Sequence, residues 1–106
     1  MNIQKMMKQA QEMQKKITDL QEEMEKREVE GVSGGGMVKA TLNGKGTALK
    51  LVVDKSVIDP EDKEVMEDLI IAAFNDARRK ADDMMATEMG NATAGMGLPS
   101  NFKLPF

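Results

Sequence analysis

The chain has no cysteine, histidine, tryptophan or tyrosine, and only three phenylalanines. Without cysteine there is no disulfide framework and no thiol chemistry, which suits a reducing compartment. Without histidine, the side chain that most often moves protons near neutral pH is missing. Neither a Ser–His–Asp nor a Cys–His site can be assembled, and a soft metal site lacks both thiolate and imidazole. No apolar run approaches the ~20 residues that span a bilayer. The opening residues Asn2, Gln4 and Lys5 offer nothing of a signal peptide's apolar block. The expectation is a cytoplasmic protein that is not an enzyme, with no cofactor, no metal, no membrane association and no small-molecule substrate.

What is present is an ordinary globular mixture. The 106 residues are 41% hydrophobic and 31% charged, enough for one domain with a modest core. Apolar faces left over from so thin a fold would be covered by a second copy. The net charge of -3 is unfavourable for contact with phosphates, but it is unevenly spread. Residues 1–18 carry Lys5, Lys8, Lys15 and Lys16 against Glu12 alone, an excess of +3. Residues 60–89 carry four basic and nine acidic residues, an excess of -5. The basic pole is N-terminal.

Periodicity divides the chain into five elements. Ile3, Met6, Ala10, Met13, Ile17, Leu20 and Met24 alternate steps of three and four, predicting a helix over 3–27 with a narrow heptad seam. Residues 28–54 change to a period of two. Val29 alternates with glutamates, Ser33-Gly34-Gly35-Gly36 breaks the chain, and Val38, Ala40 and Leu42 alternate with Lys39 and Thr41. Asn43-Gly44-Lys45-Gly46 reads as a hairpin turn, because Asn and Gly accept positive φ. Leu49, Leu51 and Val53 complete a third strand. Asp59 as cap and Pro60 at the first position open a second helix over 60–88. Its broad stripe, from Val65 to Met85, should cover the sheet. Residues 1–89 are then one domain, and 90–106 a flexible Gly- and Pro-containing tail with an apolar tip from Phe102 to Phe106. The predicted fold is a two-layer α+β domain of order α-β-β-β-α. Its sheet would have two open edges, which favours a dimer.

Few residues offer chemistry. Glu64, Glu67 and Asp68 share a helical face and could hold a hard cation loosely, but a solvated acidic face is the simpler reading. The glycine runs match neither a Walker loop nor a dinucleotide fingerprint, and their place between strands makes them turn glycines. The eleven methionines fall mostly on apolar stripes, where packing explains them. The basic residues leave two readings open. Lys5, Lys8, Lys15 and Lys16, interspersed with glutamines, can contact phosphates or base edges. Equally, they can form a solvated face paired with Glu12. Arg78, Arg79 and Lys80 can serve a phosphate or pair with Asp76, Asp82 and Asp83.

The sequence resembles the YbaB/EbfC family over essentially its whole length. The resemblance rests on Met6-Met7-Lys8-Gln9-Ala10, Glu28-Val29-Glu30-Gly31, Gly34-Gly35-Gly36-Met37-Val38-Lys39 and Asn43-Gly44-Lys45-Gly46. It continues through Asp59-Pro60-Glu61-Asp62-Lys63-Glu64, Leu69-Ile70-Ile71-Ala72-Ala73-Phe74-Asn75-Asp76-Ala77 and Gly97-Leu98-Pro99. It implies a cytosolic, nucleoid-associated homodimer that grips double-stranded DNA with projecting helices and organises the nucleoid or regulates genes. The DNA contacts it implies map to Lys5, Lys8, Lys15, Lys16, Arg78, Arg79 and Lys80. A rival expectation draws on the heptad seam, the acidic second helix and the apolar tail. It is an adaptor for DNA-repair or replication proteins without strong DNA binding of its own.

Overall fold

The computed structural model of the chain describes residues 2–94. Its elements follow the predicted order: α1 (Ile3–Lys26), β1 (Glu28–Ser33), β2 (Val38–Asn43), β3 (Ala48–Val53) and α2 (Lys63–Ala94). The strands form one antiparallel sheet in the order β1-β2-β3. The molecule is elongated, 70 × 22 × 17 Å, with a radius of gyration of 19.1 Å, where a compact chain of this length would have about 13 Å.

Local chemistry accounts for the element ends. The Asn2 side chain accepts the Lys5 amide at 3.2 Å and starts α1. Asp59 accepts the Glu61 amide at 2.9 Å, and Pro60–Asp62 makes one 3-10 turn before α2 begins at Lys63. Gly34, Gly35 and Gly36 all take positive φ between β1 and β2, a path that strongly favours glycine.

The β2–β3 hairpin corrects the expectation for Asn43, because no residue other than glycine has positive φ among the described residues. Asn43 is instead buried, and its side-chain oxygen accepts the amides of Lys45 and Thr47, each at 3.0 Å. Only Gly46 of this turn has positive φ. Gly44 is required by proximity: its amide donates to the carbonyls of Met24 and Arg27 at the end of α1, at 2.8 and 3.0 Å. A Cβ there would crowd Met24 and Met84. The turn thus caps α1 and fastens it to the sheet.

The apolar stripe of α2 serves two partners in succession. Ala73, Ala77 and Ala81 are buried where the helix crosses the sheet on β1 and β2. Val38, Ala40, Val57 and Ala73 form the core, ringed by Val53, Met66, Leu69, Ile70 and Phe74. Further along, α2 leaves the sheet and packs on α1. Val65, expected on the stripe, is exposed. The helix continues through Gly90 to Ala94, so the first residues of the expected tail are helical. Residues 95–106 lie outside the described residues.

The helix approaches the sheet closely because Gly31 has no side chain. A Cβ there would collide with the Ala73 carbonyl oxygen and the Ala77 amide, both backbone atoms that cannot move aside. Gly31→Ala should therefore destabilise the fold by about 3 kcal/mol or more, the upper range for overpacking. Thermal unfolding followed by circular dichroism would show a fall in Tm of about 10 °C or more. A shift of only a degree or two would mean that the helix can lift off the strand freely.

Candidate nucleic-acid interface

The first half of α1 stands clear of the rest of the molecule. Every residue from Asn2 to Glu12 is exposed, whereas Leu20 and Met24 on the same seam are buried. Lys5, Lys8, Lys15 and Lys16 are all exposed, and none has an ion-pair partner among the described residues. The alternative of pairing with Glu12 is therefore not realised. The first turn of α1 also lacks an acidic residue, so the positive end of the helix dipole adds to the lysines. A helix face with four cations unpaired among the described residues, two of them on its free end, and a positive helix end suits a polyanion.

Arg78, Arg79 and Lys80 are placed elsewhere, midway along α2 beside the sheet. Each is already engaged. Arg78 pairs with Asp82 at 3.1 Å, Arg79 with Asp76 at 2.9 Å, and Lys80 with Asp76 at 3.2 Å. The structure does not bring these three together with the α1 lysines.

Two of these pairings have a structural consequence that the sequence did not disclose. Asp76 also accepts the Val32 amide at 3.0 Å, and Lys80 donates to the Glu30 carbonyl at 2.9 Å. Both backbone groups belong to β1, on the side away from β2. Side chains of α2 thus occupy the outer edge of β1, and of the two edges expected to be open only that of β3 is left. Pairing of Asp76 with Lys80 is readable from their spacing of four, but the backbone partners on β1 are not.

The Val32 amide, Arg79 and Lys80 together hold the Asp76 carboxyl at about 2, below its ordinary 3.8. A depressed carboxylate stabilises the fold at every pH above its unfolded pKa, and that contribution fades as pH falls through the folded one. The wild type should therefore exceed Asp76→Asn in Tm near neutral pH. The gap should narrow as pH drops from 3.8 towards 2 and then close. Thermal melts across that range would show it, and a gap independent of pH would contradict the assignment.

Among the described residues β3 is exposed along its length except at Val53. On β3, Leu51 lies opposite Ala40 and Val53 opposite Val38, on the face that α2 covers over β1 and β2. Yet Leu51 is 43% exposed and the bulged Leu49 49%. Ile71 of α2 is also exposed. Among the described residues β3 pairs with β2 alone. α2 therefore covers two strands of three, not the whole sheet as its stripe suggested.

No group of three or more acidic residues is arranged to hold a metal ion among the described residues, and Glu64, Glu67 and Asp68 all face solvent. No described helix is long and apolar enough to cross a membrane.

Similarity to known proteins extends over nearly the whole chain. Residues 1–96 match the YbaB/EbfC DNA-binding family. A nucleoid-associated protein of Rhodospirillum centenum is 53% identical over 105 residues, spanning 99% of this chain and 98% of that protein. One from Methylocella silvestris is 52% identical over 101 residues, spanning 95% and 94%. The crystal structure of an uncharacterized protein of Helicobacter pylori superposes with a TM-score of 0.75 at 28% identity, covering 92% of this chain and 99% of that one.

Proposed function

This chain belongs to the YbaB/EbfC DNA-binding family, and from that premise we propose that it binds double-stranded DNA as a two-fold homodimer. Such a protein would act in the cytoplasm on the nucleoid, organising it or regulating genes. The family and its relatives are nucleoid-associated DNA-binding proteins, not enzymes. The observation that carries the reading is the basic face of α1, with Lys5 and Lys8 on its free end and Lys15 and Lys16 just behind it, all exposed and without acidic partners among the described residues. Phosphate contacts from these lysines supply most of the affinity, and base reading is secondary. Arg78, Arg79 and Lys80 contribute less, since their charges are already committed to Asp76 and Asp82.

The second copy docks along β3. Its edge is open, and its apolar residues Leu49 and Leu51 stay exposed in one chain. Two-fold symmetry presents the basic rod twice. The acidic body, with an excess of -5 over residues 60–89, repels DNA and steers the tips towards it.

The test is a titration of duplex DNA at several salt concentrations. If all eight lysines of a dimer engage, log affinity should fall against log salt with a slope of about -7. Binding indifferent to salt would end the phosphate mechanism. The adaptor reading draws on the Phe102–Phe106 tip, which lies outside the described residues, and no specific observation favours it.

A further inference from the structure

Among the described residues, nothing covers the first turns of the α1 seam. Burial along it changes in one direction: Ile3 is 67% and Met6 55% exposed, Met13 and Ile17 are half-buried, and Leu20 and Met24 are buried. The described part of α2 reaches only part of the way along α1. The two helices are antiparallel, with Arg27 bonded to Glu88 at 3.0 Å and Lys16 sharing a groove with Asn91 and Ala92. Ala94, the last described residue of α2, thus falls near the level of Met13. Beyond that level, Ile3, Met6 and Ala10 face solvent.

We propose that residues 95–106 of the same chain cover the Ile3–Met6–Ala10 stretch of α1. Reach permits it. From Met13 back to Ile3 is about 15 Å of helix at 1.5 Å per residue, and twelve residues span that in any conformation at least as long as a helix. Composition suits it as well. The segment supplies Leu98, Phe102, Leu104 and Phe106, and its one charged residue is Lys103. Charge argues against the other obvious cover, α1 of a second copy. That arrangement would set two clusters of four lysines side by side, whereas the tail brings no such cluster. Lys5, Lys8 and Lys15 lie away from the seam, so the tail would leave them open. The inference does not depend on DNA binding.

The absence of cysteine makes the test clean. Two full-length double variants, Met6→Cys with Phe102→Cys and Ala10→Cys with Leu98→Cys, are oxidised with oxidised glutathione and resolved on non-reducing gels. The control pairs Phe102→Cys with Met37→Cys, which lies in the turn beside Leu69 at the opposite end of the sheet. At least one test pair should close within a single chain, with a yield unchanged by dilution and well above the control. Cross-links only between chains would assign the cover to a second copy and overturn the proposal. Yields no higher than the control would overturn it too. Hydrogen exchange gives a second reading without cysteines. In Phe102→Ser/Leu104→Ser/Phe106→Ser, amides of residues 6–13 should exchange on the order of tenfold faster than in the wild type, because an unpacked helix end frays. Unchanged rates would likewise overturn it.

Discussion

Converting Lys5, Lys8, Lys15 and Lys16 together to Glu will abolish duplex DNA binding, lowering affinity at about 50 mM salt by on the order of 1000-fold or more. Each change removes a cation and adds an anion, and two-fold symmetry applies the whole set twice. The rod itself should survive. All four side chains are exposed and unpaired among the described residues, Glu propagates a helix about as well as Lys, and near the start of α1 a carboxylate meets the favourable end of the dipole. Circular dichroism should thus be unchanged while gel shifts disappear. A matched variant, with Glu in place of Lys26, Lys39, Lys55 and Lys63, changes net charge equally at exposed sites off the free rod. It should weaken binding far less. Equal losses from both sets would show that net charge, and not the projecting end of α1, governs the interaction.

The second large effect concerns the partner surface. Leu51→Glu places a carboxylate on β3 at a position 43% exposed in a single chain. The cost to one folded chain is small. In a dimer docked on that face, the same carboxylate would be buried without a partner, which costs several kcal/mol. Light scattering should show the mass halved, with secondary structure retained. DNA binding should weaken in step, its salt slope falling from about -7 to about -3.6, because a monomer offers four lysines instead of eight. A variant that stays dimeric would remove β3 from the interface without touching the role of the α1 lysines. A monomer with an undiminished slope would instead separate DNA binding from dimerisation.

The thin core explains why a partner surface matters. Met24 and Val38 are the largest side chains fully buried in one chain. The centre of the α2 crossing is filled by alanines against a glycine. Small residues allow close backbone approach but remove little apolar area from water. Covering Leu49 and Leu51 with a second copy would add area where the single chain has least. Gly31 therefore governs the layer spacing, and β3 is where the remaining stabilisation would be found.

How much could be read in advance varies with the distance between the interacting groups. The heptad seam predicted α1 to within a residue of its end, the period of two located all three strands, and Asp59-Pro60 marked the entry to α2. These signals are local, set by hydrogen bonds and side-chain directions over a few positions. The family was recognisable from many short segments in order. The role of Asn43 was misjudged because a side chain that bonds the turn and a residue with positive φ favour the same Asn-Gly sequence. The end of α2 was placed early, at residue 88, just before Gly90. An isolated glycine costs a helix only about 1 kcal/mol, and past it Asn91 and Ala92 still line a groove shared with Lys16 and Leu20 of α1.

The sequence by itself thus determined the order and kind of the elements, the absence of histidine and cysteine chemistry, and the gathering of positive charge in the first eighteen residues. Only the tertiary structure decided that those lysines are unpaired among the described residues while Arg78, Arg79 and Lys80 are bound up. It also decided that Asp76 and Lys80 occupy one sheet edge while β3 keeps the other, and that the α1 seam is half covered. The reason is geometric. Periodicity states which face of an element is apolar, but burial depends on which surfaces compete for one helix, and the described part of α2 covers two strands and about half of α1.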